Sequence, residues 1–248
     1  MFTLHNGDCL EYMKTLAPAS VDCVITDPPY GKKFARQRSG HYGSVETVNF
    51  TDQDVIWDDR PSKEYFDEIF RISKNQIIWG ANYFIDYLRP TNCMLVWDKK
   101  NGQNIFADFE LAWTSYKTIC KKVDLFWLGS HIHRIEKIYH PTQKPTGLMR
   151  WCVENYTNPS DTIFDPYMGS GTTGVAALQL GRNFIGCEKD PKYFAIAEKR
   201  LSEAVLQPSL FTPSNNRVQR TGGESGSQSS LFTDESSSSK VTRQSTRR

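Results

Sequence analysis

Six cysteines are scattered along the 248 residues (Cys9, Cys23, Cys93, Cys120, Cys152 and Cys187), with no Cys-x-x-Cys pair and no histidine cluster beside them. That absence argues against a zinc site or other metal and leaves no disulfide framework. It fits a reducing, cytoplasmic setting. The first residues, Met1 to Asp8, lack the basic region and apolar stretch of an export signal. No apolar run approaches the roughly 18 residues of a membrane span, so no membrane partner is expected. Charge excess is small as well. Lys and Arg total 30 against 28 Asp and Glu, so a nucleic-acid partner would have to be announced by local charge. What remains is a chain that is 38% hydrophobic and long enough to bury one substantial core.

An apolar run from Val21 to Ile25 reads as a buried strand, and the chain then turns through Asp27-Pro28-Pro29-Tyr30-Gly31. Neither proline can donate to a sheet ladder, so the strand ends there. The turn carries one carboxylate, two free carbonyls and one flat ring. A planar substrate with an exocyclic amino group suits that set. Asp27 and the Pro28 carbonyl each accept one N–H, and Tyr30 stacks on the ring. Taken alone, the four residues are equally a strand-ending turn that happens to contain an acid.

Elsewhere strands and helices alternate. Residues 2–5 read as a strand ending at Asn6-Gly7-Asp8, followed by a helix with Leu10, Met13 and Leu16 on one face. A helix from Ser62 presents Tyr65, Phe66, Ile69 and Phe70. Strands are expected over 76–80, 93–97 and 109–116, with a helix around 83–88 stopped by Pro90. Pro145 opens a helix carrying Leu148, Met149, Cys152 and Val153. A strand over 162–164, a helix from Gly174 to about Leu180 closed by Gly181, a strand from Asn183 ending in Glu188, and a helix from Pro191 to about Leu206 complete the pattern. This alternation predicts the α/β class, three layers around a mostly parallel sheet. Such sheets bind ligands at the carboxyl ends of their strands. Asp8, Asp27, Asp165 and Glu188 all follow predicted strand ends, so one crevice can gather them.

Two basic segments interrupt the pattern. Residues 31–60 hold Lys32, Lys33, Arg36, Arg38 and His41 among Gly, Ser and Gln, and are expected to form a mobile loop beside the Asp27 turn. Residues 117–139 mix basic and aromatic side chains, which can grip phosphate and stack on bases or form an edge hairpin.

The run Asp165-Pro166-Tyr167-Met168-Gly169-Ser170-Gly171-Thr172-Thr173 lies between a strand and a helix. Its glycines let backbone approach a ligand without Cβ interference. Glu188 follows Gly169 by 19 residues, the spacing at which a nucleoside-binding α/β fold sets an acid on ribose hydroxyls. No P-loop lysine follows the glycines, which disfavours a triphosphate. Gly174 completes a Gly-x-Gly-x-x-Gly pattern, so spacing alone leaves a dinucleotide open; Asp165, however, would repel pyrophosphate and suits an ammonium group. Together, Asp27 to Tyr30, His140-Pro141-Thr142-Gln143-Lys144-Pro145, the Asp165–Thr173 run and Glu188 resemble the amino-type DNA methyltransferases. Their order is that of the beta group, in which the catalytic tetrapeptide precedes the cofactor glycines. The resemblance spans roughly residues 2–206 and departs at Tyr167, where the family more often has Phe.

The resemblance implies a Rossmann-like methyltransferase fold with permuted motif order, and S-adenosyl-L-methionine as methyl donor. It implies that Asp27, Pro28, Pro29 and Tyr30 are catalytic, with Asp27 also bordering the cofactor. Asp165, Gly169, Gly171, Thr172 and Thr173 would hold the methionine end and Glu188 the ribose. Asp8 would take the adenine amine, or simply cap a helix. Thr142 and Lys144 would sit at the cofactor carboxylate, and His140 would be structural. The target base would leave the duplex, stack on Tyr30 and receive the methyl group by direct in-line transfer, with no cysteine nucleophile. In the family, Asp at the first tetrapeptide position goes mostly with adenine N6 and Ser with cytosine N4, so the expectation is adenine N6 in double-stranded DNA. Cytosine N4 and RNA or single-stranded nucleic acid are alternatives; of another class is a DNA- or clamp-tethered binding protein with an idle methyltransferase domain. The small insert over 117–139 implies a short or relaxed recognition sequence. Restriction would need a partner, since no nuclease motif is present, and a homodimer is open.

Residues 1–206 are thus expected to be the methyltransferase domain. From Gln207 the composition shifts to Ser, Thr, Gln, Gly and Arg, predicting a disordered tail over 207–248. Within it Gln207-Pro208-Ser209-Leu210-Phe211 is echoed by Gln228-Ser229-Ser230-Leu231-Phe232. The shared Gln-x-Ser-Leu-Phe resembles the peptide by which bacterial proteins dock on the replication sliding clamp. Two copies would raise avidity, or are a chance duplication in a low-complexity tail.

Overall fold

The computed structural model describes residues 1–31, 59–102, 107–126, 136–140 and 142–206. The expected basic loop after Gly31, the centre of the 117–139 insert and the tail lie outside the described residues.

Eight strands form one sheet: β1 (Phe2–Asn6), β2 (Val21–Thr26), β3 (Ser73–Trp79), β4 (Met94–Asp98), β5 (Phe109–Thr114), β6 (Lys121–Asp124), β7 (Thr162–Asp165) and β8 (Asn183–Glu188). Their spatial order is β1-β8-β7-β2-β3-β5-β4-β6. The first five in that order run parallel to one another. β5 runs antiparallel to both β3 and β4, and β6 is parallel to β4. The sheet is therefore mostly parallel, with one reversed strand that periodicity does not reveal.

Strand residues alternate between two apolar layers, as the pleat requires. On one face Cys23, Ile25, Ile77 and Ile163 pack with residues of α3 (Thr146–Tyr156), α4 (Thr172–Gln179) and α5 (Pro191–Leu206). On the other, Val24, Ile78 and Phe164 pack with residues of α1 (Cys9–Thr15) and α2 (Lys63–Ile72). Val24 and Ile25 are fully buried on opposite faces, which explains why β2 reads as an unbroken apolar run. Each such side chain contributes about 1.5–3 kcal/mol relative to exposure.

Two expectations change. The helix around residues 83–88 is a single 3-10 turn, Ala81–Tyr83, followed by a looser turn. Its bonds are short-range, Tyr83 N to Gly80 O and Phe84 N to Ala81 O, and with Pro90 close behind there is no room for helical propagation. Also, α4 begins at Thr172 instead of Gly174, with Gly171 as its left-handed cap. Among the described residues no helix is long and apolar enough to cross a membrane.

The topology sets the geometry of the site. Because β1, β8, β7, β2 and β3 share one direction, Asp8, Glu188, Asp165, Asp27 and Gly80 all come to the same sheet edge. The reversal of β5 brings its first residues, Phe109 and Glu110, to that edge too, since Phe109 pairs with Asp98 at the end of β4.

Candidate active site

β2 delivers Asp27 into a turn whose Pro28 is buried. The Tyr30 hydroxyl returns to donate to Asp27 Oδ1 at 2.5 Å, closing the tetrapeptide on itself. The Tyr30 ring stacks on Tyr83 with centroids 4.4 Å apart and meets Phe84 edge-on at 6.0 Å. Space for it exists because residue 80 is glycine. Gly80 has φ +72°, and an added Cβ would lie 2.2 Å from Tyr30 Cε1. The 3-10 turn after β3 thus holds the Tyr30 ring.

Asp27 Oδ2 accepts from Lys144 Nζ at 2.5 Å. The same ammonium lies 3.0 Å from Glu110 Oε2, and Glu110 Oε1 lies 2.6 Å from Lys99 Nζ. Two acids and two bases therefore form a part-buried chain, Lys99–Glu110–Lys144–Asp27. Burial opposes the Lys144 charge, but Asp27 and Glu110 overcome it and hold the ammonium well above the ordinary lysine value. Burial likewise opposes ionisation of Glu110, yet Lys144 and Lys99 pull its carboxyl down to about 2. For Asp27 burial prevails over the pull of Lys144, and its carboxyl is raised. Tyr30 is raised well above the ordinary tyrosine value by burial and by the Asp27 charge, so its hydroxyl remains a donor.

β7 ends in Asp165. Its Oδ2 accepts from the Thr173 hydroxyl at 2.7 Å and its Oδ1 from the Tyr167 amide at 3.1 Å. Burial pushes this carboxyl up to about 7 despite those donors. β8 ends in Glu188, whose Oε2 accepts from the Gly169 amide at 3.0 Å and Oε1 from the Asp190 amide at 2.8 Å. Burial raises its carboxyl as well. The loop glycines divide in purpose. An added Cβ at Gly169 would make only ordinary contact, 3.7 Å from His140, which leaves backbone there approachable. At Gly171 it would meet Leu201 at 2.6 Å, and at Gly174 Phe184 at 2.6 Å, so helix packing fixes those two glycines. The third glycine of the dinucleotide-like pattern thus has a packing reason to be there.

Asp8 caps α1, accepting from Leu10 N at 2.9 Å and Glu11 N at 3.3 Å. Thr142 turns toward His140, with Oγ1 and Nδ1 3.2 Å apart. His140 packs edge-on against Tyr193 at 4.3 Å, and burial lowers it to about 4, so its ring is neutral near pH 7. The Lys144 ammonium faces two protein carboxylates, Asp27 and Glu110.

Sequence reasoning missed Gly80, Lys99, Glu110, Gln143 and Arg200. Gln143 Oε1 accepts from the Ser170 hydroxyl at 2.9 Å and the Tyr139 amide at 3.1 Å, fastening the His140–Pro145 segment to the glycine loop. Arg200 of α5 donates to the Ser170 carbonyl at 2.5 Å and lies over the Tyr139 ring at 4.6 Å. Glu110 had one available signal, an acid inside the apolar strand Phe109–Thr114. As for nucleophiles, burial raises Cys9 and Cys23 to about 12, so these thiols stay protonated.

A family model described as DNA methylase (N6_N4_Mtase) matches residues 48–199. The Type II methyltransferase M.HinfI of Haemophilus influenzae is 30% identical over 250 residues, covering 83% of this chain and 70% of that protein. M2.DpnII of Streptococcus pneumoniae is 28% identical, covering 80% and 88% respectively. Among solved structures, the M1.HpyAVI–SAM complex superposes with a TM-score of 0.52 at 26% identity, covering 81% of this chain and 99% of that one. The cytosine-N4-specific PvuII methyltransferase shares the fold, with a TM-score of 0.53 at 18% identity. With an Asp-Pro-Pro-Tyr turn and a glycine loop gathered at one sheet edge, and with the family model and M.HinfI both matching over most of that domain, this chain belongs to the amino-type DNA methyltransferases.

Proposed function

We propose that this protein methylates the N6 amino group of adenine in DNA, with the Asp27–Tyr30 turn as its catalytic centre. The observation that carries the reading is the Asp27 carboxylate, part-buried at a strand end beside the Pro28 carbonyl and tied to Tyr30. Asp27 and the Pro28 carbonyl accept the two amino hydrogens, which directs the nitrogen lone pair away from the carboxylate. Tyr30 offers the flipped base a ring that Tyr83 and Gly80 keep in place. Most of the acceleration then comes from positioning, which supplies up to roughly 7–11 kcal/mol in favourable cases. The choice of adenine rests on Asp as the first residue of the tetrapeptide.

S-adenosylmethionine is the methyl donor of this family, and when bound it supplies an electrophilic methyl group. The donor set fits it. Asp165 is a buried carboxylate suited to an ammonium group, Glu188 is an acceptor suited to ribose hydroxyls, and Gly169 leaves backbone approachable between them. Thr172 and Thr173 line the same loop, and Thr173 orients Asp165. In this reading Asp8 adds an adenine contact to its capping role.

The test is to incubate the protein with labelled methyl donor and unmethylated double-stranded DNA, then separate the nucleosides. Label in N6-methyladenine is the expected result. Label in N4-methylcytosine keeps the site and reverses the base; no label in DNA from a donor-binding protein removes the reading. For the tail, the repeated Gln-x-Ser-Leu-Phe supports a sliding-clamp contact. A tail peptide should bind purified clamp, and Leu210→Ala with Phe211→Ala should weaken it.

A further inference from the structure

Asp27 has two oxygens, and both are engaged by this chain's own donors. Tyr30 holds Oδ1 at 2.5 Å and Lys144 holds Oδ2 at 2.5 Å. A target amine that donates to Asp27 competes with whatever already donates there. Tyr30 is fixed by the Tyr83 stack and the edge-on Phe84 contact. Lys144 is different, because a second carboxylate stands within reach of the same ammonium: Glu110 Oε2 lies 3.0 Å from Nζ. Lys99 pins the far oxygen of Glu110 at 2.6 Å, and Lys99 itself lies over the Trp97 ring at 5.2 Å.

We infer that Lys144 is a displaceable cap on Asp27, and that Glu110, anchored by Lys99, is the positioning carboxylate that receives the ammonium when a target amine arrives. The inference rests on the reading of Asp27 as the acceptor of that amine. Its physical basis is the problem of buried charge. An ammonium left without a carboxylate would be poorly hydrated here, since the Lys144 side chain is only 10% exposed, and an unpaired charge at such a site is unfavourable. A pivot onto Glu110 keeps it paired throughout, and the four charges still sum to zero. The flexible lysine stem makes such a pivot easy, whereas Tyr30 and Glu110 are held from several sides. A purely neutralising network would need no second acceptor at hydrogen-bond distance from the same nitrogen.

Glu110→Gln, Lys144→Gln and the double variant decide the matter, each measured for methyl transfer to unmethylated duplex DNA and for methyl-donor affinity by calorimetry. Glu110→Gln weakens the receiving end and leaves Lys144 on Asp27. It should raise KM for DNA by about tenfold or more while donor affinity stays intact, because fewer molecules are competent to take the amine. Adding Lys144→Gln removes the cap, and the double variant should recover a large part of the lost KM. Three results overturn the inference: an unchanged KM in E110Q, a parallel loss of donor affinity, or no recovery in the double variant. Loss of donor affinity confined to the Lys144→Gln chain also overturns it, since the ammonium would then belong to the methyl donor. Asp27→Asn is run beside them. If that variant is fully active, the reading of Asp27 fails; if it is dead while E110Q is normal, only the transfer to Glu110 fails.

Discussion

Replacing Gly80 by alanine should disable the proposed catalytic turn, Asp27–Tyr30, without unfolding the domain. The new Cβ would stand 2.2 Å from Tyr30 Cε1 and 2.7 Å from Cζ, on a backbone with φ +72°. Ordinary contact begins at 3.4 Å, so ring and methyl must part by roughly 1 Å. The ring has no easy way to yield. Tyr83 stacks on it at 4.4 Å, Phe84 abuts it at 6.0 Å, and its hydroxyl is tied to Asp27 at 2.5 Å. Alanine in the left-handed region costs about 1–2 kcal/mol. Loss of the aromatic pair adds about 0.5–1.5 kcal/mol, and loss of a hydrogen bond to a carboxylate about 1.5–3 kcal/mol. These are not additive, and partial relaxation leaves a domain of ordinary stability, about 5–15 kcal/mol, folded. The catalytic effect is larger, because a shift of about 1 Å in a positioning group costs on the order of a hundredfold in rate. Single-turnover methyl transfer reads the rate, and calorimetric donor binding confirms the fold. Gly80→Ala combined with Tyr30→Ala should be no worse than Tyr30→Ala alone, since both act through one ring. A Gly80→Ala protein that turns over like the parent would refute the reasoning, because the ring would then not be confined.

Asp27→Ala should abolish turnover while donor affinity stays close to that of the parent, checked by the same two assays. Asp165, raised by burial to about 7, should make binding of a cationic donor pH-dependent: affinity climbs with pH toward 7 and levels above it, and Asp165→Asn flattens the profile. The sign for stability is opposite. The folded carboxyl binds its proton more tightly than the unfolded one at 3.8, so stability falls as pH rises from about 4 to about 7, by up to roughly 4 kcal/mol, and Asp165→Asn removes that decline in urea titrations. Gly174→Ala forces a methyl to 2.6 Å from Phe184 and 2.9 Å from Leu201, and should lower stability by about 1–3 kcal/mol in thermal melts while leaving turnover per folded molecule unchanged.

Much of this was legible because the chemistry follows parallel strand ends. Periodicity located β1, β2, β7 and β8, and an acid stands at or within two residues after each end. Placing Asp8, Asp27, Asp165 and Glu188 at one edge needed only the rule that parallel strands point their carboxyl ends the same way. Local turn chemistry sufficed for Gly181, which closes α4 with φ +74°. It failed at residues 83–88, where apolar spacing imitates a helix but only one 3-10 turn forms before Pro90. Pattern also could not tell a glycine kept for ligand approach from one kept for packing. Gly169, Gly171 and Gly174 look alike in sequence, and only the neighbours Leu201 and Phe184 separate them.

What stayed hidden is the set of contacts made by residues far apart in the chain around Asp27, and the reversal of β5 explains why. Had β5 run parallel to β3, Glu110 would lie at the opposite edge of the sheet, away from the crevice. Pairing Trp79 with Ala112 and Ile77 with Thr114 in antiparallel register puts the start of β5 beside the end of β3 instead. The pleat then decides which side chain arrives. Glu110 alternates with Leu111 and shares the face of Ala112, which packs in the same layer as Leu148 and Met149 of α3, next along the chain from Lys144. A slip of one residue in β5 would turn Leu111 toward that face and Glu110 away from it. The second acid of the Lys99–Glu110–Lys144–Asp27 network is thus specified by a strand direction and a register, neither of which its own neighbours in the sequence encode. The same holds for Lys99, which reaches Glu110 only because β4 and β5 pair through Asp98 and Phe109.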